Sequence, residues 1–303
     1  MVKHILSTGD FTREFVEEIF DHVKYCAMRK MPTRLAQHSA AALFYMPSTR
    51  TMGSFQSAFM RLGMPFSTVA SVDASSMAKG ENLKDTIRMQ QSYFDLIVLR
   101  HPDAGAAELA ASVSNVPIIN AGDGSNEHPT QTLVDLYTIE KELGRLDNLV
   151  FTIIGDLKNG RTVHSLLKLI SKYNPVEVRL ISPLMLKAHP DLLLPFRARG
   201  IRVVEDVDME DNLHGTNVVY MTRIQKEWLT NEDYKQVKDL YRFEPKHFDM
   251  IDKDGILLHP MPRVNEIDDE CDLDPRAAYF RQAARAVEVR MALIEWCLNI
   301  HKL

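Results

Sequence analysis

Four arginines in this chain each follow a short apolar run: Arg50 in Ser48-Thr49-Arg50-Thr51, Arg100 in Arg100-His101-Pro102, Arg161 in Gly160-Arg161-Thr162, and Arg223 in Thr222-Arg223-Ile224-Gln225. A guanidinium offers a planar fork of N–H donors that can hold two oxygens of a phosphate or carboxylate at once. Ser48 to Thr51 also precedes an amphipathic run that opens near Ser54 and ends at Gly63. The first N–H groups of a helix lack partners inside it and carry partial positive charge, so a phosphate is stabilised there. The same Ser-Thr pair would serve equally well as a plain N-cap. His128 has two readings as well, a donor to developing negative charge or a cap for the helix opening at Pro129. Lys79 lies in Ser75-Ser76-Met77-Ala78-Lys79-Gly80-Glu81, a flexible loop by composition in which a lone lysine is ordinarily just solvated.

Such chemistry calls for small anionic substrates, and the rest of the chain narrows the field. Its 303 residues, 45% hydrophobic and 25% charged, suffice for two domains of about 150 residues each. A net charge of −5 gives no general attraction to nucleic acid or anionic lipid, so functional cations must be placed locally. No run of 18 apolar residues occurs and the N-terminus lacks a signal-like core, which predicts a cytoplasmic protein with no membrane partner. Cys26, Cys271 and Cys297 show no metal-type spacing. They are expected to be reduced, structural thiols, with no metal site and no cofactor.

The elements that must position these residues alternate. A helix is expected over Thr12 to about Lys30, with Phe15, Ile19, Phe20 and Val23 on one face. Strands are expected at Ala41–Tyr45, Phe66–Val69, Leu96–Leu99 and Val116–Ile119, with helices starting near Thr51, Asn82, Ala104 and Pro129. After Gly144 the rhythm restarts, with strands at Leu149–Ile154, Val176–Ile181, Ile201–Val204, Val218–Met221 and Ile256–Leu258 and a final helix over about Arg276–Leu298. This predicts an α/β protein of two doubly wound domains, each a parallel sheet flanked by helices. Ligands of such sheets bind beyond the carboxyl ends of the strands. The expected active site is an interdomain cleft lined by Arg50, Arg100, Arg161 and Arg223.

Seven ordered motifs carry a resemblance over nearly the whole chain: Ser48-Thr49-Arg50-Thr51, Lys79-Gly80-Glu81, Arg100-His101-Pro102, His128-Pro129-Thr130-Gln131, Gly160-Arg161-Thr162-Val163-His164-Ser165, Thr222-Arg223-Ile224-Gln225 and His259-Pro260-Met261-Pro262-Arg263. Together they resemble the catalytic chain of the aspartate carbamoyltransferase family, which transfers the carbamoyl group of carbamoyl phosphate to the α-amine of L-aspartate in pyrimidine biosynthesis. The resemblance implies a carbamoyl phosphate-binding domain of residues 1–130 plus 284–303 and an aspartate-binding domain of residues 131–283. It assigns the phosphate to Ser48, Thr49, Arg50, Thr51 and Arg100, and the developing oxyanion to Thr51, Arg100 and His128, where each donor is worth about 10²-fold or more in rate. Gln131 and the carbonyls around Pro260 and Met261 would receive the carbamoyl NH₂. Arg161, Arg223 and Gln225 would hold the two carboxylates of aspartate. Ser75 and Lys79 would cross from a neighbouring subunit to complete its site, making a homotrimer the smallest active unit, with Lys79 touching both substrates.

Two departures stand out. Met46 occupies a position where the family usually has glutamate, and Trp228 one where it usually has arginine. Losing both charged partners exchanges a salt bridge for an apolar contact at little net cost. Met46 is therefore expected to pack near Trp228 in the closed form. Ala284-Arg285-Ala286 replaces a common Asn-Gly pair and favours helix. Ornithine carbamoyltransferase is the rival activity. It shares the first and fourth motifs but requires acidic groups for an ammonium, whereas Arg223 and Gln225 suit a carboxylate. A catalytically inactive scaffold is the rival from another class. Gly144-Arg145-Leu146-Asp147-Asn148-Leu149 and Gly122-Asp123-Gly124-Ser125-Asn126 look most like the bacterial form whose trimers join separate zinc-containing regulatory chains, which makes such a partner, and allosteric control, an expectation.

Overall fold

The structure, a computed structural model, describes residues 2–28 and 35–300. By its contacts the chain divides into two compact units, Met1–Leu133 with Arg285–Leu303, and Val134–Ala284.

The first unit opens with α1 (Arg13–Met28), whose Val16, Ile19, Phe20 and Val23 are buried. Lys30, the expected end of this helix, lies outside the described residues. Strand β1 (Ala40–Phe44) and helix α2 (Thr49–Arg61) follow, then β2 (Phe66–Val69), α3 (Leu83–Gln90), β3 (Leu96–His101), α4 (Ala106–Ala111), β4 (Ile118–Asp123) and α5 (Pro129–Leu143). The four strands form one parallel sheet in the order β2-β1-β3-β4. Strands β1 and β3 are buried along their whole length, as expected where helices cover both faces.

The second unit holds β5 (Val150–Ile154), α6 (Arg161–Ile170), β6 (Glu177–Ile181), α7 (Leu194–Ala198), β7 (Arg202–Asp206), β8 (Val218–Met221), α8 (Asn231–Val237) and β9 (Ile256–Leu258). Its five strands are parallel in the order β7-β6-β5-β8-β9. Helix α9 (Tyr279–Cys297) closes the chain and, like α5, runs through a boundary between the units.

Three boundaries differ from the sequence reading for identifiable reasons. Strand β4 is expected at Val116–Ile119 yet runs to Asp123, because Asn120 and Asp123 pair with Leu99 and His101 of β3 despite their polarity. Strand β3 likewise extends past Leu99, so Arg100 and His101 sit on the strand itself. Helix α9 starts three residues after Arg276, because residues 276–278 lie alongside β9. Leu257 N–H donates to Arg276 O at 2.9 Å, and Ala278 N–H to Leu257 O at 2.9 Å.

Candidate active site

In each unit the order of strands reverses at one place. In the first sheet it is between β1 and β3, in the second between β5 and β8. Loops leaving adjacent strands there diverge to opposite faces and open a crevice at the carboxyl ends, where ligands bind in open α/β sheets. Ser48 to Thr51 follow β1 and Arg100 is the next-to-last residue of β3; Gly155 to Arg161 leave β5 and Thr222 to Gln225 leave β8. The arginine motifs therefore occupy the switch point of each sheet.

In the first unit, Tyr45 N–H donates to Arg100 O at 2.9 Å, fixing the start of the Ser48 turn beside the end of β3. Ser48 holds the N-cap position of α2, with extended backbone, but its hydroxyl makes no capping bond, which weighs against the plain N-cap reading. Thr49 and Arg50 are exposed, and Thr51 is 8% exposed. Thr51 Oγ1 lies 3.4 Å from His128 Nε2, and Thr130 Oγ1 lies 3.5 Å from His128 Nδ1. Arg100 is buried, with Nη1 donating to Ala121 O at 3.1 Å. The fold thus brings Thr51 and His128 together from positions 77 residues apart and sets Arg100 on the strand between their elements. Gln131 stands in the first turn of α5, its N–H donating to His128 O at 3.0 Å.

Acidic residues fix the backbone segments that follow β3 and β4. Asp123 accepts from Asn120 Nδ2 (3.0 Å), Glu127 N (3.2 Å), Gly105 N (2.8 Å) and Asn126 Nδ2 (3.0 Å), tying the loop after β4 to the loop after β3. Glu127 accepts from the Thr8 hydroxyl at 2.7 Å and the Thr8 amide at 2.8 Å. Gly124, at φ +50°, has no room for a side chain, since a Cβ would come within 2.7 Å of Pro102 O. Burial pushes the His101 imidazole below its usual pKa, outweighing Asp103 and Asp123, and Nδ1 accepts from Asp103 N at 3.1 Å.

Lys79 ends the short 3₁₀ turn Ser76–Lys79 and Ser75 joins it to the turn Val72–Ala74, a more ordered backbone than their loop-like composition predicts. Lys79 is exposed, and Gly80 closes the second turn at φ +93°.

In the second unit, Arg223 is clasped by Glu227, four residues ahead: Nη1 donates to Oε2 at 3.0 Å and Nη2 donates to Oε1. This contact raises the Arg223 pKa; burial pushes the Glu227 carboxyl up, but the guanidinium outweighs it and holds the group below its usual value. Arg161 opens α6, and its charge also lowers Glu227. The turn carrying Arg161 is built on buried Asp156, which accepts from Asn159 N at 2.9 Å; burial raises its pKa, opposed by bonds that include the Gln225 amide. At Gly155, φ +124°, a Cβ would fall 2.2 Å from Thr222 O, so only glycine lets the loops after β5 and β8 approach.

Pro260 and Met261 follow β9 on a loop locked by His259. Met261 N–H donates to His259 Nδ1 at 2.8 Å, and His259 Nε2 lies 2.7 Å from Glu266 Oε1. Because Nδ1 accepts from the Met261 amide, the ring proton lies on Nε2 toward Glu266, and burial lowers the pKa of this imidazole against the pull of Glu266. Glu266 also accepts from the amides of Val264 and Asn265 at 3.1 Å each. From behind, His259 N–H donates to Gln282 Oε1 at 2.9 Å, Gln282 Nε2 to Asp135 Oδ1 at 2.6 Å, and the Tyr220 hydroxyl to Asp135 Oδ2 at 2.9 Å. Arg223 and Glu227 stand four residues apart, but on a loop and a short 3₁₀ turn, where helical spacing gives no signal for the pair. Partners such as Glu127 and Thr8, 119 residues apart, left none.

Comparison with known proteins agrees across the chain. Residues 3–141 match the family described as aspartate/ornithine carbamoyltransferase, carbamoyl-P binding domain, and residues 147–297 its Asp/Orn binding domain. The aspartate carbamoyltransferase catalytic subunit of Saccharolobus islandicus is 45% identical over 302 residues, covering 99% of both chains. The solved catalytic subunit of M. jannaschii aspartate transcarbamoylase superposes with a TM-score of 0.89 at 43% identity, covering 98% of each chain. Aspartate transcarbamoylase from Trypanosoma cruzi, solved with carbamoyl phosphate and aspartate, gives 0.90 at 35% identity over 96% of this chain and 94% of its own. On the strength of both matched regions and full-length identity, the chain belongs to the aspartate/ornithine carbamoyltransferase family.

Proposed function

We propose that this chain transfers the carbamoyl group of carbamoyl phosphate to the α-amine of L-aspartate, giving N-carbamoyl-L-aspartate and phosphate. The observation that carries the reading is the occupation of both switch points by arginine motifs, on a chain whose full-length relatives are aspartate carbamoyltransferases.

The deprotonated amine attacks the carbonyl carbon, the C–N bond forms, and the tetrahedral intermediate expels phosphate as the C–O bond breaks. Ser48, Thr49, Arg50 and Thr51, with Arg100, hold the phosphate at the start of α2. Thr51, Arg100 and His128 face the oxygen that gains charge, while Gln131 and the carbonyls of Pro260 and Met261 receive the carbamoyl NH₂. Arg161, Arg223 and Gln225 bind the carboxylates of aspartate. The leaving phosphate takes the amine's proton, and rate comes from orientation and preorganised charge.

The carbamoyl phosphate domain is taken as residues 1–130 with 284–303 and the aspartate domain as 131–283. Further parts of the reading follow the family: a cytoplasmic homotrimer with shared sites, Ser75 and Lys79 supplied to a neighbouring copy, and a zinc-containing regulatory chain conferring allosteric control. Among the described residues no helix is long and apolar enough to cross a membrane, which fits that location. Support for aspartate over ornithine comes from Arg223, whose pairing with Glu227 keeps it charged and oriented.

The test is carbamoyl transfer by the purified chain with L-aspartate and L-ornithine in parallel. Turnover with aspartate alone is expected. Turnover with ornithine alone overturns the roles given to Arg223 and Gln225, and a folded trimer active with neither favours the scaffold reading.

A further inference from the structure

Helices α1 and α9 meet in the first unit at Phe15 and Trp296, whose ring centroids lie 5.0 Å apart, and Ile19 and Val23 of one and Val289, Ala292, Leu293 and Ile294 of the other are buried. Set among them are three groups that an apolar seam does not need: His22, Cys26 and Glu295, which are 7%, 4% and 0% exposed. His22 and Cys26 stand one turn apart on α1 and so share a face. Their donor atoms converge on a single oxygen, with His22 Nε2 at 2.6 Å and Cys26 Sγ at 3.3 Å from Glu295 Oε2. One ligand atom from each lies within 4.8 Å of the others.

We propose that His22, Cys26 and Glu295 form a binding site for a divalent transition metal of the Zn²⁺ class, separate from the residues assigned to carbamoyl transfer. Imidazole, thiolate and carboxylate make a mixed nitrogen, sulfur and oxygen set that suits Zn²⁺ or Co²⁺ and fits Mg²⁺ or Ca²⁺ poorly. Charge favours it too: a thiolate and a carboxylate neutralise a dication in surroundings where net charge is costly. With usual zinc bond lengths, tetrahedral ligands stand about 3.4 Å apart. The Cys26 to Glu295 spacing already matches, and His22 and Glu295 need to separate by under about 1 Å, a side-chain adjustment. Binding releases the Cys26 thiol proton to solvent, and the proton between His22 Nε2 and Glu295 Oε2 leaves that contact, so that Nε2 takes the metal and the neutral ring carries its proton on Nδ1. The fourth position is left to water or another donor. The metal would pin the two ends of the unit's chain together, a structural role with a stability readout.

The test uses the purified full-length chain, stripped with a chelator and titrated with Co²⁺ alone. We expect one Co²⁺ per chain, about 1 µM or tighter, with a thiolate-to-cobalt charge-transfer band that Zn²⁺ abolishes and Mg²⁺ leaves intact. The band should persist in the Cys271→Ala, Cys297→Ala double variant and vanish in Cys26→Ala, while Zn²⁺ raises the Tm of wild type and not of Cys26→Ala. His22→Gln and Glu295→Gln, which keep the thiol, should weaken binding about tenfold or more and carry the test if Cys26→Ala does not fold. Absence of stoichiometric Co²⁺ on the folded wild-type chain, or a band that survives in Cys26→Ala or is untouched by both His22→Gln and Glu295→Gln, overturns the proposal.

Discussion

The two switch points carry the same residue type in different settings. In the first unit Thr51, Arg100 and His128 are buried, with Thr51 beside His128 and Arg100 donating to Ala121 O, while Asp123 and Glu127 tie down the segments after β3 and β4. In the second, Arg223 is half-buried and already holds a carboxylate, that of Glu227 on its own loop. Buried, fixed donors suit charge that develops only during reaction, because they need no rearrangement when it appears. A half-exposed arginine with a resident counter-ion suits a charge that arrives complete, since an incoming carboxylate shares a cation that is oriented and already partly desolvated. The first setting should govern kcat, the second KM for aspartate.

The sharpest way to break this contrast is at Arg100 and His128. Arg100→Gln is expected to lower kcat about 10³-fold and His128→Ala about 10²-fold, both with folded chains by circular dichroism. A change confined to KM would remove the distinction between the two switch points. Gly155→Ala should come next, since its Cβ overlaps Thr222 O; a loss of about 3 kcal/mol in urea unfolding is expected. An unaltered midpoint would mean that the close approach of these loops is not required.

A smaller effect tests the counter-ion. Glu227→Gln should raise KM for aspartate about tenfold with kcat within about twofold. A kcat loss at unchanged KM would make Glu227 part of the reaction chemistry instead.

Acid offers a further comparison, between His259 of the second unit and His101 of the first. Burial depresses both, so the unfolded chain takes up a proton first as pH falls below about 6.5. Their contribution is intact above that value and declines toward the depressed pKa, by at most about 1.4 kcal/mol per pH unit for each ring. Denaturant midpoints at pH 7.5 and 5.5 should show a weaker acid dependence in His259→Gln than in wild type; equal slopes would refute this sign. The smallest effects are expected at Met46→Ala and Trp228→Ala, a few-fold in KM for aspartate and turnover. Values equal to wild type in both would end the idea that the pair substitutes for a lost salt bridge in closure.

Much of this was legible in the residues. The nine strands of the described residues were anticipated within a few residues, because parallel strands read as apolar runs bounded by turn residues. The exceptions are instructive: polar Asn120 and Asp123 belong to β4, where pairing with β3 overrides their local preference for turns. Helix α9 starts late because residues 276–278 find partners on β9 that no local pattern announces. That the arginine motifs gather at the carboxyl ends of strands was plain, although Arg100 proved to lie on β3 itself, while the partners Asp123, Asp156, Gln282 and Glu266 were not. A polar side chain has the same local signature whether it is solvated or buried under backbone N–H groups.

By itself the sequence determined the alternating α/β pattern, the family, and which residue types could meet phosphate and carboxylate, since periodicity and motif spacing are properties of a local segment. Tertiary structure decided which strands neighbour one another, and therefore that β1 with β3 and β5 with β8 form the switch points. It decided the tautomer of His259, the company of Thr51 and His128, and the convergence of His22, Cys26 and Glu295 across 269 residues. Those outcomes depend on burial and on contacts between distant segments, and both arise only once the sheets and their covering helices have closed over them.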